Sequence, residues 1–163
     1  MQDAFNGPRF ELTTFLDGHA CAWGMVEDRF GRVRRSFSVE MRGGWHDGVF
    51  MLDETFTFDD GEIDHRVWRV VPGRHGRFTA TSKDCVGVAQ GECTADLIRM
   101  SYKFRLRVNS RELVVDFDDR IHRMKDGLAM NRATMRKWGV KVGELFIVFS
   151  RKAGQQRDTA AAA

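Results

Sequence analysis

Long apolar runs are missing from this chain of 163 residues. No stretch approaches the roughly 20 apolar residues that cross a bilayer as a helix, and no signal-peptide-like apolar segment precedes Phe10. Proline occurs only at Pro8 and Pro72, so no proline-rich linker divides the chain into domains. The three cysteines, Cys21, Cys85 and Cys93, are an odd set without C-x-x-C spacing. One would be left unpaired in an oxidising compartment, so reduced thiols and a cytoplasmic setting are expected. The alternative is a periplasmic protein or a lipoprotein whose leader is absent from the sequence.

Chemical signatures are also scarce. Gly43-Gly44 and the pair Gly87 and Gly91 lie among strand-like runs, not in the strand–turn–helix context of a phosphate loop. There is no G-x-S-x-G elbow. His19, His46, His65, His75 and His122 are scattered without H-x-H or H-x-x-x-H spacing. No cofactor and no metal are therefore expected. The net charge of +3 is a mild excess, and most basic residues alternate with apolar ones instead of forming a patch with stacking aromatics. That pattern argues against nucleic acid. It leaves anionic headgroups or fatty acids as acceptable partners, with peripheral membrane contact compatible.

What is present is period-two alternation. Hydrophobic residues make up 42% and charged residues 30%, a balance that supports a packed soluble-type core. Ile98, Met100, Tyr102, Phe104, Leu106 and Val108 alternate with Arg99, Ser101, Lys103, Arg105 and Arg107. A helix of period 3.6 cannot hold that pattern on one face; a strand can. Gly31-Arg32, Gly43-Gly44, Asp60-Gly61, Asn109-Ser110 and Asp126-Gly127 punctuate such runs as turns. Strands are expected near 19–30, 33–43, 48–58, 62–71, 76–82, 86–94, 97–108, 112–122, 128–138 and 144–151. Nine or ten sequential strands joined by short turns form a meander, and closure removes its exposed edges. The expected fold is all-β: one antiparallel, lipocalin-like meander barrel over residues 1–152. A short helical turn between Phe10 and Asp17 would plug one end. The alanine-rich stretch 153–163 reads as a flexible tail or a cloning remnant.

Charges on the apolar face of a strand mark candidate site residues. Glu54 interrupts the face shared by Phe50, Leu52, Phe56 and Phe58. A two-residue turn at Asn109-Ser110 would set Tyr102 opposite Phe117 and Met100 opposite Asp119, bringing Asp119 inside with Ile121. A buried carboxylate needs a partner: Arg66, Arg69 and Arg132 are the basic candidates, Asn131 and Tyr102 the neutral ones. The bland alternative is an inward ion pair that only fixes register. Trp23, Trp45, Trp68 and Trp138 read first as core. A two-residue turn at Asp60-Gly61 would put Glu54 and Arg66 on opposite faces. A longer loop around Phe58 to Glu62, or a bulge, would reunite them.

Several segments taken together are familiar: Ala22-Trp23-Gly24, Asp28-Arg29-Phe30-Gly31, Leu52-Asp53-Glu54, Phe58-Asp59-Asp60-Gly61, Arg66-Val67-Trp68, Asp84-Cys85-Val86-Gly87, Asn131-Arg132-Ala133 and Lys137-Trp138-Gly139. Over residues 10–151 the set resembles a bacterial family of unknown function with a lipocalin-like barrel. Its members are often encoded beside cyclopropane-fatty-acid synthase-like methyltransferases and flavin amine-oxidase-like proteins. Two departures stand out: Arg120 replaces a tryptophan that usually follows the paired aspartates, and the exported-lipoprotein leader common in the family is absent.

The resemblance and the inward charges imply a non-enzymatic binding protein for a fatty-acyl or other hydrophobic small ligand, accessory to bacterial membrane-lipid metabolism. The expected ligand-binding residues are Trp23, Glu54, Arg66, Trp68, Asp118, Asp119, Asn131 and Arg132, with Trp23, Glu54, Arg66, Trp68 and Asn131-Arg132 clustered at one end of the barrel. The alternatives are an enzyme acting on a modified fatty-acyl chain through Glu54 or Asp119, and a scaffold for lipid-modifying enzymes.

Overall fold

A computed structural model describes residues 8–163; the first seven residues of the expected 1–152 domain lie outside the described residues. Alternation becomes strand wherever it was strongest. The ten strands are β1 (Gly18–Asp28), β2 (Val33–His46), β3 (Val49–Phe58), β4 (Ile63–Pro72), β5 (Arg77–Thr81), β6 (Cys85–Cys93), β7 (Leu97–Val108), β8 (Arg111–Arg123), β9 (Leu128–Lys137) and β10 (Val140–Ser150). Each pairs antiparallel with its sequence neighbours, and β1 pairs with β10 to close the barrel. Closure leaves no free sheet edge to seed aggregation.

The turns set the register. Asn109 and Ser110 both take positive φ (50° and 64°), as a two-residue turn of this hand requires. Tyr102 therefore faces Phe117 and Met100 faces Asp119. The β2–β3 connection is Asp47-Gly48, not Gly43-Gly44: those glycines stay within β2. Gly43 is needed there for space, since a Cβ would lie 2.0 Å from the Leu16 carbonyl oxygen. At β3–β4 the loop has three residues, Asp59 to Gly61, with Gly61 at φ 87° and its N–H bonded to the Phe58 carbonyl. The extra residue shifts β4 by one, and Glu54 pairs directly with Arg66.

Inner positions are filled chiefly by aromatic and aliphatic side chains. Phe50 and Ile98 are fully buried, with Met41, Val70 and Val115 nearly so. Trp68, Tyr102, Phe104 and Phe117 form an aromatic cluster; the Tyr102 and Phe117 rings stack at 5.2 Å and Trp68 meets Tyr102 edge-on at 5.4 Å. Of the four tryptophans only Trp68 is core; Trp23, Trp45 and Trp138 are exposed. The alternation explains this, since Trp23 lies between inward Ala22 and inward-packed Gly24, so its ring must leave the barrel.

Two short helices finish the molecule. The helix α1 (Leu12–Phe15) lays Leu12 and Leu16 across one barrel end, as the expected plug. Where a flexible tail is expected, the chain forms helix α2 (Arg151–Ala162). Ser150 caps it by accepting from the Ala153 N–H at 3.2 Å. Arg151 donates to the carbonyls of Thr14 and Phe15, both at 2.7 Å, and of Asp17 at 2.8 Å. It thereby ties α2 to the plug. Gly154 lets α2 touch β1: a Cβ there would meet the His19 carbonyl oxygen at 2.3 Å. Sequence-level reasoning missed this helix because its contacts come from one glycine and from polar side chains, without an apolar stripe.

Candidate functional site

Five of the eight expected residues line the barrel interior together. Glu54 on β3, Arg66 and Trp68 on β4, Asp119 on β8 and Asn131 on β9 all border one cavity of about 110 Å³, with Tyr102 on β7 as a sixth polar wall. Its other end is apolar, made by Leu12, Leu16, Met41, Leu52, Ile147 and Phe149. The pairings Glu54–Arg66 and Ile121–Asn131 bring these strands into register.

Trp23, Asp118 and Arg132 are not part of this cluster. Each sits one residue from an inward position, and the two-residue strand period turns it out. Trp23 is 45% exposed. Arg132 donates to Glu144 at 2.8 Å on the outer face, and Asp118 borders an external depression with Lys103 and Arg136. Arg69, weighed as a partner for Asp119, is also outside, near the Met51 sulfur.

The electrostatics follow from burial. Removal from water raises the Glu54 carboxyl to about 7, against the pull of the Arg66 charge and a hydrogen bond with Trp68. Glu54 is half-buried and borders the cavity. Burial also lifts Asp119 to about 7, although Asn131 and Tyr102 both hydrogen-bond to it. The Tyr102 hydroxyl donates to the Asp119 carboxylate at 3.3 Å. Its own pKa is driven well above the ordinary phenol value, first by burial and then by the Asp119 charge. Near neutral pH the site thus holds two carboxyls poised between acid and anion, beside one permanent cation.

Arg66 occupies the neck. Its guanidinium lies 4.8 Å from the Phe56 ring centroid and 4.3 Å from that of Phe104, and one Nη donates to Asp64 at a long 3.5 Å. On the inner side it borders the cavity. On the outer side it borders a vestibule of about 470 Å³ at the barrel end opposite α1, where Arg35, Phe58, Asp64 and Leu106 are found. Two buried polar atoms at the cavity wall, Arg66 Nε and Asn131 Oδ1, have no hydrogen-bond partner among the described residues. A wider depression of about 670 Å³ over the outside of β2–β4 is lined by Arg42, His46, Asp53 and Arg69. It holds none of these buried groups and faces solvent, so it lacks the features of an enclosed binding site.

One other cluster has metal-ligand chemistry. Among the described residues, His19, Cys21 and Glu40 place ligand atoms within 4.8 Å of one another. The sequence hid it, because Glu40 comes from β2 opposite Cys21. Both ring nitrogens of His19 are already engaged: Nε2 with Glu40 at 2.6 Å and Nδ1 with Asp158 of α2 at 2.8 Å. Arg157 pairs with Glu40 and Arg42 with Asp158. The arrangement is a charge network that seats α2 on β1, and a metal would have to displace it.

A closed ten-stranded antiparallel barrel with one polar-ended internal cavity is the architecture of lipocalin-like proteins. Residues 2–151 match the family described as Protein of unknown function (DUF3833), and the chain belongs to that family. No curated protein matches the sequence. Among solved structures it is similar to the S-type phycobiliprotein lyase CpeS from Guillardia theta, with a TM-score of 0.59 and 8% identity over 87% of this chain and 96% of that one. At that identity the likeness shows the fold alone.

Proposed function

We propose that the barrel binds a small amphipathic ligand, its apolar end in the inner cavity and its polar group against Glu54, Arg66, Asp119 and Asn131. The observation that carries this reading is the pair of unpartnered buried atoms, Arg66 Nε and Asn131 Oδ1, a donor and an acceptor on strands that face each other across the cavity. Buried polar groups are nearly always paired, so these two call for a guest that brings its own acceptor and donor. The solved barrel of similar fold is an S-type phycobiliprotein lyase; this supports a barrel suited to small-molecule chemistry.

The finer reading is a fatty-acyl or modified fatty-acyl ligand, in keeping with the lipid-modifying gene neighbours that the family resemblance implies. The inner cavity of about 110 Å³ is small beside the 300–1,000 Å³ typical of drug-sized pockets. It accepts a short chain as it stands, and a longer one by moving the flexible Met41 and Met100 side chains that line it. The vestibule and the Arg66 neck supply the route, leaving the polar group of the ligand at the neck.

Native mass spectrometry of protein purified without detergent, followed by titration with fatty acids of graded chain length, tests this. The expected result is a bound small molecule and tightest binding for short chains, with affinity falling about tenfold in Arg66→Ala, a loss of about 1.4 kcal/mol. No bound molecule and no binding across the series would overturn it. A second reading, proton transfer to a modified acyl chain, is favoured by the carboxyls of Glu54 and Asp119 lying near 7, where a group both gives and takes protons. It expects the unaltered protein to exchange an acyl C–H for deuterium in D2O, and Asp119→Asn to bind the acyl ligand without that exchange.

A further inference from the structure

The barrel end that carries the vestibule also carries an exposed aromatic tip that the cavity does not use. In a closed meander the hairpins β1–β2, β3–β4, β5–β6, β7–β8 and β9–β10 all lie at that end. The β1–β2 and β9–β10 hairpins are neighbours, because β1 pairs with β10 up to Asp28 opposite Gly143. Trp138 sits at the tip of one, 88% exposed, and Phe30 at the tip of the other, 71% exposed. Val33 and Val140 beside them are more than half exposed.

Trp138 is also conformationally costly. It forms a two-residue turn with Gly139 between the paired Lys137 and Val140, and both turn residues take positive φ, 49° and 76°. Asn, Asp and Gly suit the first position of such a turn; a bulky aromatic there is strained. The strained backbone is not offset by burial of the ring, which stays in solvent. A residue that is both strained and unburied points to something outside the molecule.

The charge around the tips says what that is. Lys137 Nζ lies 4.9 Å from the Trp138 ring centroid and the Arg29 guanidinium 4.8 Å from that of Phe30. Arg32 adds a further cation on the same hairpin. The acidic β3–β4 hairpin next to them is partly neutralised, since Arg35 binds Asp60 at 3.1 Å and Glu62 at 2.9 Å. Aromatic rings flanked by basic side chains are the composition of membrane-interface anchors, the rings settling at headgroup depth and the cations meeting anionic lipid. Among the described residues no helix is long and apolar enough to cross a membrane. The outer barrel wall bears ion pairs such as Lys103–Asp116 and Arg132–Glu144 where a spanning barrel needs an apolar band.

We propose that the Phe30 and Trp138 hairpin tips dock the barrel, vestibule first, onto an anionic lipid surface. This surface stands apart from the cavity, and its test does not require a ligand in the barrel. Co-sedimentation with vesicles of equal phosphatidylglycerol and phosphatidylcholine, and with phosphatidylcholine alone, measures it. Binding is expected to the anionic vesicles, to weaken as salt rises, and to be lost in Trp138→Asn and in Phe30→Ala. Trp138→Asn is expected to melt at the same or a higher temperature, because asparagine relieves the turn. Glu54→Gln is expected to bind vesicles like the unaltered protein, which separates failure here from failure of the ligand reading. Absence of binding at low salt, undiminished binding by Trp138→Asn, or burial of Trp138 in a self-associated dimer in place of vesicle binding would overturn the proposal.

Discussion

Burial of Glu54 and Asp119 among aromatic side chains ties the stability of the barrel to pH. Both carboxyls lie near 7 in the folded protein, against 4.5 and 3.8 for the unperturbed groups. Between those values the folded state binds more protons than the unfolded one. The stability each group contributes is therefore complete below its unfolded value and lost as pH rises through about 7. The loss amounts to roughly 3–4 kcal/mol for each group, since one pKa unit is worth about 1.4 kcal/mol. Urea unfolding between about pH 5 and pH 8 is expected to show that decline, and Glu54→Gln and Asp119→Asn each to flatten it. A pH slope unchanged in both variants would show that neither carboxyl is held up by burial. These two residues were legible in the sequence because each interrupts an otherwise apolar alternation. Asp118 and Arg132 each adjoin an inward residue, and adjacency misleads in a strand, where the next residue faces the other way; Trp23, singled out by the family resemblance, stands on the outer face by the same alternation.

At the scale of elements, turn chemistry decides what the alternation alone leaves open. The Asn109-Ser110 turn could be counted from sequence, and it gives Asp119 its place opposite Met100 and near Tyr102. The β3–β4 loop could not, because two-residue and three-residue versions fit the same Asp-Asp-Gly. Only the three-residue loop brings Glu54 beside Arg66. The helix α2 was invisible for a different reason: its docking rests on polar pairs between Asp158, His19 and Arg42 and on the bare Gly154. Gly154→Val is expected to lift α2 from β1, since a Cβ there would collide with the backbone of His19 and Ala20. The variant should lose about 1–3 kcal/mol, as overpacking at a tight contact typically does. Cys21, 1% exposed beneath the helix, should then react with a thiol reagent much faster, while Cys85 and Cys93 stay slow. Unchanged labelling of Cys21 would show that α2 does not cover it.

For the whole molecule, closure of ten strands produces a sealed wall, an apolar plug at one end and a guarded vestibule at the other. The plug is tethered by Arg151 to three carbonyls of the α1 segment, so the Arg66 neck is the less costly way in. A guest entering there meets the cation first, then the two carboxyls, then Leu52, Met41 and Leu16. This order is what makes the barrel a receptor for a molecule with one polar and one apolar end. Carboxyl-carbon NMR of Glu54 and Asp119, recorded across pH with and without saturating octanoate as the probe, tests it most directly. The expected result is that both carboxyls titrate near 7 in the free protein and that octanoate shifts both titrations, with the shift lost in Arg66→Ala. Carboxyls that titrate at ordinary values, or that ignore octanoate while it binds elsewhere on the protein, would contradict a ligand site inside the barrel.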